Sequence, residues 1–188
     1  YDAAGNSFTA ASQTVVVLTH PPTIVASSNS PTVYGQSITM TVTVSLPAGT
    51  PTSVTSLLDG NPVEFYKDSS TLLGSGTLSL IGGEYRAILT VPTFNAGTYN
   101  SLFVRYLGTS NFLAGDSATI THVVTPAPLT VTASQAVTKQ YGDPVPALDY
   151  ASGYLAVSGL VNGDLATDVI SGSAATTATQ ASPVIASG

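Results

Sequence analysis

Between residues 37 and 46 the chain alternates without interruption. Ile38, Met40, Val42, Val44 and Leu46 take one parity, and Ser and Thr take the other. Successive side chains of a strand point to opposite faces, so this is a strand with one face buried and one wet. Period two, or a short apolar run closed by turn residues, recurs along almost the whole sequence. It predicts strands over 23–26, 63–66, 72–73, 77–81, 85–91, 98–106 and 117–124. Tyr85, Ala87, Leu89 and Val91 share one side of their strand. Asp59-Gly60, Gly82-Gly83 and the hairpin-like 108–111 punctuate the run. Seven or more short strands at this spacing predict an all-β, antiparallel sandwich with at most one short helix.

The sequence also repeats itself. Tyr1, Gly5, Asn6 and Phe8, then an apolar strand over 12–19, then His20-Pro21-Pro22, return as Tyr106, Gly108, Asn111 and Phe112, an apolar strand, His122 and Pro126. Val33-Tyr34-Gly35-Gln36 returns as Gln140-Tyr141-Gly142-Asp143. A period of about a hundred residues is that of one small β domain, so the chain reads as a slice of a tandem array. The expected boundaries put the end of a preceding module at 1–20, a sandwich at 21–126 and part of a second β-rich module at 127–188. Pro21, Pro22, Pro126 and Pro128 mark the joins, because proline has no N–H for a ladder and stiffens a linker.

Asn95-Ala96-Gly97-Thr98-Tyr99-Asn100-Ser101 is similar to the immunoglobulin Asp-x-Gly-x-Tyr-x-Cys segment, with Asn for Asp and Ser for Cys. In that fold the tyrosyl O–H bonds back to upstream backbone and pins the corner before the next strand. Leu102, Val104 and Tyr106 share a parity that Tyr99 does not, so burying both sets requires a bulge near Asn100-Ser101. With Val63-Glu64-Phe65-Tyr66, Leu72-Leu73-Gly74 and Tyr106-Leu107-Gly108, residues 23–125 resemble a bacterial Ig-like repeat of the group-3 type, with an insertion around 53–60. Residues 128–188, with Lys139-Gln140-Tyr141-Gly142-Asp143-Pro144 and Ser158-Gly159-Leu160-Val161-Asn162-Gly163-Asp164, resemble the start of an MBG module of the YGX type. The resemblance implies surface and secreted architecture (stalks, adhesin arms, envelope proteins) and no shared catalytic residues.

Composition bounds the partners. Four basic residues against ten acidic ones supply no cluster of Lys and Arg to displace counterions, which argues against nucleic acid and anionic lipid. No run approaches the roughly 20 apolar residues that cross a bilayer, so this segment does not insert in a membrane. The absence of cysteine removes disulfides, thiol chemistry and Cys-type metal sites. With Ser/Thr richness, few Lys and tandem β modules, it points to an exported bacterial protein at the cell surface.

Candidate chemistry is sparse. His20 and His122 occupy equivalent repeat positions, which reads as a strand-end residue beside the linker rather than a catalytic base. Asp59, Glu64, Asp68, Glu84 and Asp116 fall in turns and on strand faces, where acids are solvated. No enzyme is expected, and no cofactor. Calcium is the alternative, at module ends, with Asp143, Asn162, Asp164 and Asp168 as ligands. No Asp-x-Asp-x-Asp-Gly loop accompanies them, and the simpler reading makes Asn162-Gly163-Asp164 a turn whose Asp164 caps a short helix through Asp168. Lys67 and Lys139 are the donors available for a covalent crosslink and read more simply as surface residues. Tyr66, Tyr150 and Tyr154 are candidates for stacking on sugar, against a reading as packing.

The expected function is structural: a segment of an extracellular surface protein forming a stalk, shaft or filament. Its partners are neighbouring modules or identical chains, with terminal strands complementing the next copy by strand addition. The residues that carry this are Ile38, Met40, Val42 and Val44 on one strand, Tyr99 at the corner, and Leu102, Val104 and Tyr106 beyond it. The alternative is an adhesin module that reads a glycan, such as surface polysaccharide, or a host or cell-surface protein through the 47–61 loop.

Overall fold

The computed structural model describes residues 21–182. The expected strand over 12–19, His20 and the segment 183–188 lie outside the described residues. So does strand complementation through them.

Among the described residues twelve strands make three sheets. They are β1 (Thr23–Ser28), β2 (Thr32–Val33), β3 (Ile38–Ser45), β4 (Pro62–Tyr66), β5 (Leu72–Thr77), β6 (Ser79–Ile81), β7 (Glu84–Val91), β8 (Gly97–Tyr106), β9 (Gly115–Asp116), β10 (Ile120–Thr125), β11 (Thr130–Ala133) and β12 (Leu155–Ser158). One sheet has the order β1-β3-β7-β6. A second runs β2-β10-β8-β4-β5, with β9 paired to β8, and β11-β12 form a ribbon of their own. All of the registered pairings are antiparallel except β2 with β10, where Val124 faces Thr32 and Thr125 faces Val33. The first two sheets are the layers of the sandwich that the alternation predicts. Among the described residues helix is confined to single turns: α1 (Thr52–Thr55) and a 3-10 turn (Ser56–Leu58) in the long connection, and α2 (Ala166–Val169). The turns in the connection are additional to the one short helix expected near Asp168.

The chain divides into two compact units: one of 21–27, Thr41–Leu89 and Phe103–Thr119, the other of Ser28–Met40, Thr90–Leu102 and 120–182. Strands β3, β7 and β8 pass from one to the other.

In the first unit Val42, Leu58, Val63, Phe65, Leu78, Val104 and Tyr106 are fully buried, and Val44 is nearly so. Two details differ from the expected strands. The run over 77–81 is split: Leu72–Thr77 pairs with β4 and Ser79–Ile81 pairs with β7, so the chain changes sheet at Leu78. The apolar side chain at the crossing is inserted into the core, where burial stabilises by about 2 kcal/mol. The run over 117–124 shortens to β10, which begins only at Ile120, because Ser117, just after β9, turns inward. Its N–H donates to the Val104 carbonyl, and its hydroxyl oxygen accepts from the Val104 N–H.

The second unit holds Ile38, Met40 and Leu102, fully buried, with Val91 and Val124 beside them. Register across β8 and β10 runs from Leu102–Ile120 to Tyr99–His122, three residues on one strand against two on the other. The extra residue is the bulge at Asn100-Ser101, and it lets both parities of β8 be used. Tyr99 donates its O–H to the Asn95 carbonyl at 2.8 Å, and its ring meets Phe94 edge-on. That is the corner geometry expected of the Asn95–Tyr99 segment.

Candidate functional site: the turn at Tyr34 and the loop at Val161

Within the second unit, β2 ends in a tight turn. The Gln36 N–H donates to the Val33 carbonyl at 2.9 Å, and the Gln36 side chain accepts from the Val33 N–H. Gly35 sits at φ +95°, which an L side chain rarely adopts, and its N–H donates to Thr93 Oγ1. The turn therefore presents the Tyr34 ring beside a bare glycine.

Val161-Asn162-Gly163-Asp164 is a second turn, closed by the Asp164 N–H on the Val161 carbonyl at 3.0 Å. Asn162 (φ +60°) and Gly163 (φ +81°) are both left-handed, as in a type I′ turn, and Asn-Gly is the pair that tolerates this. The two turns meet. Tyr34 donates its O–H to Asp164 Oδ1 at 3.1 Å, and Asn162 Nδ2 approaches the same hydroxyl at 3.4 Å. Val161 packs on Gly35 so closely that a Cβ there would stand 2.9 Å from two of its carbons. A further close approach joins Gly159 to the linker, where a Cβ would lie 2.4 Å from the Pro128 carbonyl oxygen. Around these contacts lies a mostly apolar cleft of about 360 Å³, whose walls include Ala96, Pro126, Leu129 and Val169. Pro126 and Pro128 themselves are exposed, as is Pro21, while Pro22 is half-buried.

The calcium candidates are placed as follows. Asp164 faces Tyr34 and caps nothing: the residue preceding α2 is Leu165 in extended conformation, and no side chain caps that turn. The cap reading fails because the carboxylate has a tyrosyl hydroxyl to accept from instead. Asp168 accepts from Thr167 Oγ1. Asp143 closes the Gln140–Asp143 turn through its backbone N–H. Among the described residues no three His, Cys, Asp or Glu side chains gather in one place.

His122 is not a strand-end residue beside the linker. It lies inside β10, fully buried, with Nε2 2.9 Å from Thr32 Oγ1 and Nδ1 3.0 Å from Ser28 Oγ. Burial pushes its pKa below the ordinary 6.5. The two hydroxyls satisfy a neutral ring, and among the described residues no carboxylate is hydrogen-bonded to it as in a hydrolytic triad.

In the first unit Tyr66 stacks flat on Phe103, with centroids 5.0 Å apart, and the Arg105 guanidinium lies over both rings. Tyr66 donates to Glu64 Oε2 at 2.6 Å, and that bond raises its pKa. Asp116 holds Arg105 through two bonds, and its carboxyl is pulled down by them. The ring is committed to packing, which leaves little of it for a sugar. Of the other tyrosines, Tyr150 is partly exposed and Tyr154 half-buried. Lys139 Nζ lies 3.2 Å from the Gln180 carbonyl. The connection over 47–61 is anchored by buried Leu58, and by Asn61 Nδ2 donating to the Tyr106 hydroxyl at 2.8 Å.

The pairing of Tyr34 with Asp164 is a contact that the sequence reading does not reach. The available signal was the doubled Tyr-Gly motif, which marked the turn without marking what it touches.

The family model for bacterial Ig-like domains (group 3) matches residues 24–125, more than half of the 188. The model for MBG domains of the YGX type matches residues 129–188. Domains of both kinds are typical of bacterial surface repeat proteins and are not catalytic families. No curated protein matches the chain.

Proposed function

We propose that this chain, which belongs to the family of bacterial Ig-like domains (group 3), is a structural segment of an extracellular shaft, in which consecutive modules are held at a fixed angle. The observation that carries this reading is the seating of the Val161–Asp164 turn on Tyr34 and Gly35. A linker of alternating prolines alone would restrict bending only in part, since proline fixes its own φ but not its ψ. A tyrosyl–carboxylate bond, a valine on a glycine and a backbone contact at Gly159 add constraints on the same joint. They lie between the segments matched as Ig-like and as MBG. No helix among the described residues is long and apolar enough to cross a membrane. The adhesin alternative draws less support, because the 47–61 connection spends Leu58 and Asn61 on the core.

Backbone ¹⁵N relaxation on the full chain tests the reading. Residues 24–125 and 129–182 are expected to report one rotational correlation time, and two in the Tyr34→Ala/Asp164→Ala double variant. Two times in the wild-type chain overturn the shaft.

A further inference from the structure

The sequence repeats Tyr-Gly, and the geometry repeats with it. In Gln140–Asp143 the Asp143 N–H donates to the Gln140 carbonyl, as Gln36 does to Val33. Gly142 stands at φ +88°, against +95° for Gly35. The Gly142 N–H is held from behind by the Gln180 carbonyl, as that of Gly35 is held by Thr93, and Gln180 Nε2 donates back to the Gly142 carbonyl at 2.7 Å. The two turns thus share their closing bond, their left-handed glycine and a brace on the glycine N–H.

They differ in what lies in front. Gly35 is covered by Val161, and the Tyr34 hydroxyl is spent on Asp164. Among the described residues nothing lies within 4 Å of where a Cβ on Gly142 would stand, and Tyr141 is 67% exposed. A large exposed aromatic thus stands beside a bare, braced glycine, the same pair that Val161 and Asp164 cover at Tyr34 and Gly35.

We infer that the Tyr141–Gly142 turn is a docking face for another module, and that its occupant is a tight turn of the Val161–Asp164 kind. Such a turn presents a β-branched residue to seat on the glycine, Asn-Gly to reverse the chain, and a carboxylate to accept the tyrosyl O–H. The inference rests on the shaft reading and extends it: the contact at Tyr34 becomes one instance of a rule by which each Tyr-Gly turn receives the module beyond it. Charge complements the choice. The receptor side offers the Tyr141 O–H and Lys139, whose ammonium borders the same turn through Gln140 and Gln180. The occupant brings an aspartate.

The probe is a second copy of the full chain carrying Tyr34→Ala, which releases its own 161–164 turn. Unlabelled Y34A is titrated into ¹⁵N-labelled wild-type chain. The expected result is a saturating shift of the Tyr141, Gly142 and Asp143 amides, with Gly35 unmoved because its site is filled internally. The shift is lost when the probe also carries Val161→Ala and Asp164→Ala. Tyr34→Phe, which removes only the hydroxyl, replaces Y34A should that variant unfold. Unmoved 141–143 amides at millimolar probe overturn the inference. So does an equal shift from the triple variant, or movement at Gly35 instead of Gly142. The shaft reading fails separately: the amides of 161–164 would then be the same in wild type and Y34A, whatever Gly142 does.

Discussion

His122 sits between two hydroxyls with its imidazole out of water. The folded chain holds it neutral below the pH at which the unfolded chain would protonate it. The unfolded state therefore binds more protons in the window beneath 6.5, and stability falls as pH drops through it. The urea midpoint is expected to decline from about pH 7 to about pH 5, where ordinary carboxylates remain charged. His122→Gln should start lower and change little over that interval. The carboxyls of Asp68 and Asp116 are held below the usual 3.8, the first by the Ser70 backbone N–H and the second by Arg105. Their contribution is present above that value and lost only as pH falls beneath it, so the two effects separate. At the corner, Tyr99→Phe removes the bond to Asn95 and leaves the ring against Phe94. A loss of about 1 kcal/mol, read from chemical unfolding, is expected.

Leu78 and Leu80 look equivalent in the sequence, and the fold treats them as opposites. Leu78 is fully buried where the chain passes from one sheet to the other, and Leu80 is 59% exposed. Leu78→Ala is expected to cost about 2–5 kcal/mol in thermal or chemical unfolding and Leu80→Ala under about 1 kcal/mol. The strand over residues 38–45 was legible because strict alternation has one meaning, a face in and a face out. The bulge in β8 was legible for a related reason, since two buried parities on one strand require an extra residue. The crossing at Leu78 was not. A single apolar residue between two short strands carries no period, and continuity of β character hides a change of sheet. Ser117 hid the late start of β10 in the same way: a serine at an inward position reads as surface until its backbone partner is known.

Over the whole chain, hydrophobic pattern reported which faces are buried, and repetition reported the size of a module. Neither reports which surfaces meet. Asp164 looked like a helix cap because its neighbours in sequence were the only partners in view, whereas its actual partner is Tyr34, 130 residues away. Gly35→Ala is expected to press a methyl into Val161, and to weaken the joint while leaving the sandwich core intact. Amide exchange checks this: protection is lost at 161–164 and kept in β3 and β8. The parallel pair β2–β10 has a consequence of a different sort. Its strands lie near the start and the end of the segment matched as Ig-like, joined by Tyr34 N–H to the Thr125 carbonyl and by Val123 N–H to Ser30 Oγ. When such a module is pulled by its two ends, parallel neighbours are drawn past each other lengthwise. Their bonds must then yield together in shear instead of opening one at a time like a zip, so the weak link of the sandwich under tension is also its best-defended one.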